Sequence, residues 1–104
     1  MPIIAKRFQH GEWDVGSEHP GWNLHEGSGD RVFEARMAFT TAMDAAPLIT
    51  LSLSGFDCEA DGRVKIHLSY EKVTHKTFSV MIKTTGECKI HRVKFAYFAV
   101  VKDE

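Results

Sequence analysis

Four consecutive runs between Pro47 and Val101 have the composition and spacing of β-strands. Three of them alternate apolar and polar side chains, the pattern of a strand with one buried and one exposed face. Glycine, aspartate, serine and threonine separate the runs and supply turn-forming residues. Four short strands within about 55 residues predict a β-sandwich or β-barrel.

The first run, Leu48 to Leu53, is apolar at both parities, which predicts a strand covered on both faces and ended by the turn residues Ser54 and Gly55. The second run, Arg63 to Glu71, has a polar face that is predicted to be exposed to solvent or to line an interface. The inward residues predicted for the later runs are Val64, Ile66, Leu68, Tyr70, Phe78, Val80, Ile82, His91, Val93, Phe95, Tyr97 and Ala99. Their predicted outward neighbours include Lys65, His67, Ser79, Met81 and Lys83.

The first third of the chain is less regular. Ile3 to Phe8 is predicted as a short strand, and Gly11 to Asp30, with five glycines and a proline, as a long loop. Such a connection is usually a folded Ω-loop or a binding loop, and Trp13 and Trp22 give it apolar groups to pack. Arg31 to Met43 alternates in favour of a strand, although its composition also suits a helix. The whole chain of 104 residues is therefore predicted to be one all-β domain, a six-stranded antiparallel β-sandwich.

The charge balance excludes an electrostatic footprint for nucleic acid or an acidic membrane. Thirteen basic and fourteen acidic side chains leave a formal net charge of -1, whereas such partners select strongly basic surfaces. No apolar stretch approaches the roughly 18 to 20 residues of a membrane-spanning helix. Met1 to Ala5 lacks the features of a secretory signal, so either the protein is intracellular or a signal was removed before this numbering begins.

Motifs for catalysis or metal binding are weak, so the sequence predicts no enzyme activity, no cofactor and no metal site. Neither a G-x-S-x-G elbow nor an H-E-x-x-H pair occurs. Cys88 and His91 lie three residues apart, an odd offset that points strand side chains to opposite faces. His67, on the outward face of a predicted central strand, is expected to be a surface or interface histidine, unless a symmetric assembly brings its copies together as ligands. Cys58 lies in a loop at the same predicted end as Cys88, so either a disulfide or two free thiols fits the topology.

If consecutive strands run up and down, three loops share one end of the sandwich: Gly11 to Asp30, Asp57 to Gly62, and Thr84 to Lys89. Arg63 lies beside several carboxylates there, so hydrogen-bond acceptors and a forked donor converge where a polyol could be held. The alternative is that these residues are only solvated loop tips. The carboxylates are Asp30, Asp57, Glu59, Asp61 and Glu87.

An ordered set of short segments lies between Phe39 and Val101. They are SLSGFD ending at Asp57, Arg63-Val64, Phe78-Ser79-Val80, Thr84 to His91, and the alternating Val93 to Val100. In this order they resemble the H-type lectin domain family, the galactose- and N-acetylgalactosamine-binding module of snail agglutinins and discoidin C-terminal domains. Gly21-Trp22 and Arg31 agree with the same family more loosely.

The resemblance implies a six-stranded antiparallel sandwich that forms a homotrimer, with glycan sites at the protomer junctions. The family holds its sugar with an acid from the first long loop, an arginine that opens a strand, and two aromatic side chains. Carried onto this chain, the implied ligand-binding residues are Asp30 or its neighbour Ser28, Arg63, Thr85 with Gly86, and His91. A lectin of this kind would be extracellular or at the cell surface.

Two of these positions depart from the family pattern, because Thr85 stands at the tryptophan position and His91 at the tyrosine position. An aromatic ring normally covers the apolar face of the sugar, so its loss would cost about 1 to 2 kcal/mol of binding free energy. The sequence therefore predicts a non-catalytic carbohydrate-binding trimer of galactose or N-acetylgalactosamine type. The alternative is a lectin-fold structural or cell-adhesion module that has lost sugar binding.

Overall fold

The computed structural model describes residues 7–60 and 62–101. Six strands follow in chain order: β1 (Phe8–Gly16), β2 (Arg31–Ala38), β3 (Leu48–Glu59), β4 (His67–Glu71), β5 (Thr77–Thr84) and β6 (Lys89–Val100). They pair into two antiparallel sheets of three strands, ordered β1-β6-β3 and β2-β5-β4. Neither described range contains a helix, so none within them could span a membrane. The predicted six-stranded antiparallel β-sandwich is confirmed, including a strand rather than a helix at β2.

The core lies between the two central strands, β5 and β6, where the alternation in the sequence is most regular. Phe78, Val80 and Ile82 of β5 are fully buried, and they face Val93 and Phe95 of β6. A second layer of rings extends the core toward one edge, because Phe78 lies 5.3 Å from the Phe39 ring and 5.2 Å from the Tyr97 ring. Burial of this apolar surface is the main stabilising contribution to the fold.

Strand β1 extends further along the chain than the first strand predicted from the sequence. Residues 3–6 of the predicted strand lie outside the described residues, and β1 continues through positions 11–16, which the sequence assigned to a loop. Gly11 is the reason: a Cβ there would lie 2.8 Å from the Tyr97 ring, so this glycine permits close packing within a strand. The loop is consequently shorter, residues 17–30, and Trp13 lies on β1 while Trp22 lies in the loop.

The prediction that Leu48 to Leu53 is covered on both faces is wrong for this chain, because Leu48 is 62% exposed. The strand also continues past the predicted stop to Glu59, with register shifts between Leu53 and Gly55 and between Asp57 and Cys58. Ser54 and Gly55 thus accommodate a bulge in a long strand instead of ending it.

The face of the β2-β5-β4 sheet that points away from the core differs from expectation at two positions. His67 was expected on a central strand, but β5 takes the centre and β4 the edge. Ser79 points outward as predicted yet is fully buried, since Arg36 covers it and Nη1 of Arg36 donates a hydrogen bond of 3.3 Å to the Ser79 hydroxyl. The long arginine stem thus covers part of an outer face that the alternation marks as exposed.

Candidate functional site

Three connections meet at one end of the sandwich, as the predicted up-and-down order requires: residues 17–30, residues 60 and 62–66, and residues 85–88. The first and third are joined by a hydrogen bond of 3.0 Å from the Gly29 amide to the Gly86 carbonyl. The second is joined to β5 by a hydrogen bond of 2.7 Å from the Thr84 hydroxyl to the Lys65 carbonyl. The end of the sandwich is therefore one connected surface.

The β1–β2 loop is folded against the sandwich, with Trp22 as one of its packing groups. Trp22 is buried and donates from Nε1 to the Ile90 carbonyl over 2.9 Å. Leu24 is fully buried, and its carbonyl accepts from the Ile90 amide at 2.8 Å. These contacts bind the loop to β6, so its rim has a defined position relative to the sheets.

Arg31, the first residue of β2, uses all five of its side-chain N–H groups on backbone carbonyls. Nε and Nη1 donate within the β1–β2 loop, and Nη2 donates 3.1 Å to Gly86 and 2.6 Å to Cys88 in the β5–β6 connection. Its planar fork therefore fixes two loops against each other. The carbonyl partners of Nε and Nη1 are Gly29, Leu24 and Glu26.

Two neighbouring clefts open on this surface, and both are lined by Lys65 and Thr85. The larger, called here the sheet cleft, has a volume of about 620 Å³ and extends onto the outer face of the β2-β5-β4 sheet. The smaller, the loop cleft, has a volume of about 300 Å³. The sheet cleft is lined by Asp30, Arg31, Val32, Val64, Lys65, Ile66, His67, Lys83, Thr84 and Thr85. The loop cleft is lined by Ala60, Arg63, Lys65, Thr85, Gly86, Glu87 and Cys88.

Four of the five implied site residues lie on these clefts. The Thr85 hydroxyl donates to Oδ1 of Asp30 over 2.5 Å, which orients the carboxylate in the sheet cleft. Gly86 has a φ of +67°, a backbone conformation that favours glycine, and with Arg63 it lines the loop cleft. Ser28, the alternative to Asp30, is exposed and lines neither cleft, while Asp61 lies outside the described residues.

His91 is placed elsewhere. It lies in β6 at the register shift between the pairs Asp57↔Arg92 and Cys58↔Ile90. Because of this shift, Ile90 takes the inward position that was predicted for His91. Its ring lies 6.1 Å from that of His25, and its Nε2 lies 3.9 Å from a Glu59 carboxylate oxygen. The histidine lines neither cleft. In residues 7–60 and 62–101, no three His, Cys, Asp or Glu side chains form a metal-binding group.

Cys58 and Cys88 are both free thiols in the structure, although they are neighbours. Partial burial raises the pKa of the Cys58 thiol, and the adjacent charge and hydrogen bond of Cys88 raise it further. A raised pKa keeps the thiol protonated at neutral pH and lowers its reactivity.

The sequence did not indicate three further residues of this surface: Arg31 as the anchor, and Lys65 and Lys83 on the cleft wall. The available signal for Arg31 was an arginine directly after a glycine-rich loop, where many backbone carbonyls lack strand partners. For Lys65 and Lys83 the signal was their outward parity together with the loop end at which they lie.

Comparison with known proteins gives one family and one fold. The model of the family described as the H-type lectin domain matches residues 34–100. Two structures of discoidin II from Dictyostelium discoideum share the fold: the recombinant native form at 23% identity and a TM-score of 0.84, and the wild-type form at 22% and 0.83. They cover 93% and 97% of this chain. The chain in turn spans only 37% and 40% of theirs.

A protein of Fuscovulum blasticum described as ATP synthase subunits region ORF 7 is 26% identical over 86 residues. The match covers 81% of this chain and 75% of that protein. Its description names a genomic region and carries no chemistry to this chain.

Proposed function

Since this chain belongs to the H-type lectin domain family, and is thus a lectin-type carbohydrate-binding module, we propose that it binds a galactose- or N-acetylgalactosamine-type sugar at the loop end of its sandwich. The observation that carries the proposal is the hydrogen-bonded pair of Asp30 and Thr85 beside the wall shared by the two clefts, with Arg63 on the adjoining wall. The module acts without catalysis.

The chemistry of a sugar diol matches this set of groups. Two neighbouring hydroxyl oxygens accept from the fork of Arg63, and a third hydroxyl donates to the Asp30 carboxylate. Thr85 already occupies Oδ1 of Asp30, which leaves Oδ2 for the ligand. Gly86, with no side chain, lets the sugar approach the backbone of the β5–β6 turn. His91 lines neither cleft of its own chain, so the proposed contacts are those of Asp30, Arg63, Thr85 and Gly86.

Calorimetry with N-acetylgalactosamine tests this site. Arg63→Ala is expected to weaken binding by about 2 kcal/mol or more, roughly thirtyfold, because a forked charged donor is lost. Arg36→Ala removes an arginine from the outer face of β2, outside both clefts, and serves as the matched control. An affinity that is unchanged in Arg63→Ala would remove the loop end as the site.

We also propose that the module acts as a homotrimer, since three weak sugar sites held together gain avidity. Exposed apolar side chains on the outer face of the β1-β6-β3 sheet support self-association: Leu48 pairs with Val100, and Phe98 packs 6.1 Å from Phe8. Light scattering should give about three times the chain mass of 11.7 kDa. A monomer at micromolar concentration would contradict the trimer, and Phe98→Asp should dissociate it if this face is the interface.

The second candidate function, a lectin-fold adhesion module without sugar binding, is favoured by one observation. Thr85 and His91 replace the two rings that the family uses to cover its sugar. A glycan array with the purified protein separates the two candidates. Binding of galactose-type glycans supports the first, and a folded protein that binds no glycan supports the second.

A further inference from the structure

We propose that the sheet cleft receives an acidic group, a carboxylate or a sulfate, on the bound saccharide, so that the preferred ligand is an anionic galactose-type glycan. The inference rests on the proposed function and specifies its ligand class. It comes from the wall of the cleft that lies beyond Asp30 and Thr85, on the β2-β5-β4 sheet.

Cationic side chains line this wall at adjacent positions. Lys83 of β5 pairs in register with Val32 of β2 on one side and with His67 of β4 on the other, so the three form a row across the sheet. Lys65 lies two residues before His67, and its carbonyl is fixed by the Thr84 hydroxyl next to Lys83 in the chain. Lys65 and Lys83 therefore bring two ammonium groups to one cleft.

These two ammonium groups are available to a ligand, unlike the third cation of the cleft. Arg31 donates its side-chain N–H groups to five backbone carbonyls. Lys65 and Lys83 are exposed, and within residues 7–60 and 62–101 no carboxylate forms an ion pair with either. The chain has a net charge of -1, so the basic character is local to this cleft, where it would attract an anion.

The remaining lining distinguishes an anionic sugar from a bare inorganic anion. Val32 and Val64 are 42% and 44% exposed on the cleft, although Val64 was predicted to point inward. Their apolar surface can cover the C–H face of a sugar ring, while the Asp30 carboxylate at the other end repels free anions and accepts hydrogen bonds from hydroxyls. A volume of about 620 Å³ is within the range of small-ligand sites.

The experiment compares galactose with two derivatives that differ from it only at C6: galacturonate, which carries a carboxylate, and galactose 6-sulfate. Calorimetry near neutral pH and at low ionic strength should give at least one derivative roughly fivefold or greater affinity over galactose, since exposed ion pairs each contribute up to about fivefold. This preference should disappear at about 1 M salt, where the screening length falls to about 3 Å. The carboxylate and sulfate arms identify which acidic group the cleft favours.

Variants connect the preference to the cleft. Lys83→Gln and Lys65→Gln should each lower the ratio of acidic-sugar to galactose affinity, and the double variant should bring it near one. Lys94→Gln removes the same charge from the exposed face of β6 and should leave the ratio unchanged. All three lysines are exposed, so their replacement spares the core, and thermal unfolding checks this.

The outcomes separate the two proposals. Equal affinity for galactose and both acidic derivatives in the wild type overturns the acidic-ligand inference and leaves the proposed function standing. A preference that persists in the double variant also overturns the inference, because the anion would then bind elsewhere. Absence of binding by all three sugars overturns the proposed function and the inference with it.

Discussion

The β1–β2 loop and the β3–β4 connection both border the sheet cleft, yet they are held in different ways. The first buries Trp22 and Leu24 in the sandwich and is fixed by the five hydrogen bonds of Arg31. The second is mostly exposed where the structure describes it, and it is tied to β5 by the hydrogen bond from Thr84 to the Lys65 carbonyl. One wall is built into the core, and the other lies on the surface.

The difference explains why two arginines at one end of the fold have opposite roles. Arg31 donates every side-chain N–H to backbone carbonyls and has none left for a ligand. Arg63 is exposed on the loop cleft, where its fork faces solvent and can meet a ligand. A guanidinium is thus a framework group or a binding group according to how many carbonyls surround it.

The largest expected effect concerns the β1–β2 loop, which the Arg31 side chain holds in place. Arg31→Ala should lower the free energy of unfolding by about 3 kcal/mol, because several charge-assisted hydrogen bonds are lost and their carbonyls are left without partners. Arg31→Lys should recover only part of this, since an ammonium cannot reproduce the fork. Urea denaturation measures both variants.

The matched control for this prediction is Arg63→Ala. As an exposed side chain, Arg63 should change the free energy of unfolding by less than about 0.5 kcal/mol. Similar losses of stability in the two alanine variants would mean that the β3–β4 connection is as firmly built in as the β1–β2 loop, and the contrast between the walls would fail.

The same contrast marks how far the sequence alone could go. Strands β5 and β6 were predictable because the alternation of a strand is a local property of the chain, and both are central strands with a full core on one face. The ends of β1 and β3 were not, because Gly11 and Gly55 are residues that usually form turns. Their actual roles, close packing against Tyr97 and a bulge, depend on the partner strand β6.

The site divides in the same way. The up-and-down order of the strands sufficed to bring three loops to one end. The resemblance implied that Asp30 and Thr85, 55 residues apart, belong to one site, but it did not predict the hydrogen bond between them. The outward parity of Lys65 and Lys83 was predictable, but the cleft that they line was not. The anchoring role of Arg31 could not be derived, since it depends on the path of loop backbones that no periodic pattern encodes.

A smaller effect concerns the β5–β6 connection, which carries Thr85 and lines both clefts. Thr85→Trp should strengthen the binding of N-acetylgalactosamine by about 1 to 2 kcal/mol, because an aromatic ring then covers the apolar face of the sugar. Calorimetry on the wild type and the variant measures the gain.

Thr85→Val is the control for that substitution. It removes the hydroxyl that donates to Asp30 without adding a ring, so it should weaken binding modestly. If Thr85→Trp gives no gain over the wild type, the turn does not present its side chain to the sugar as the family's pocket does.

The smallest effect concerns the two neighbouring thiols of Cys58 and Cys88. Cys58 lies near the end of β3, just before the β3–β4 connection, and Cys88 lies in the β5–β6 connection that Arg31 anchors. Burial, and then the charge and hydrogen bonding of Cys88, raise the pKa of Cys58 above its ordinary value of 9.0. In the unfolded chain the same thiol ionises at lower pH, so between the two pKa values the unfolded state binds fewer protons than the folded state, and the free energy of unfolding falls as pH rises.

The contribution of Cys58 is therefore fully present below about pH 9 and is lost as pH rises through the folded-state pKa. Under reducing conditions, the wild type should lose more stability between about pH 8 and about pH 10 than Cys58→Ala does, as measured by urea denaturation at each pH. Burial raises the pKa of Tyr97 from 10.0 and acts in the same direction, but it does so in both proteins and cancels in the comparison. An identical pH dependence in the two proteins would mean that water reaches the Cys58 thiol before it ionises. The end of β3 would then open locally as readily as the exposed β3–β4 connection that follows it.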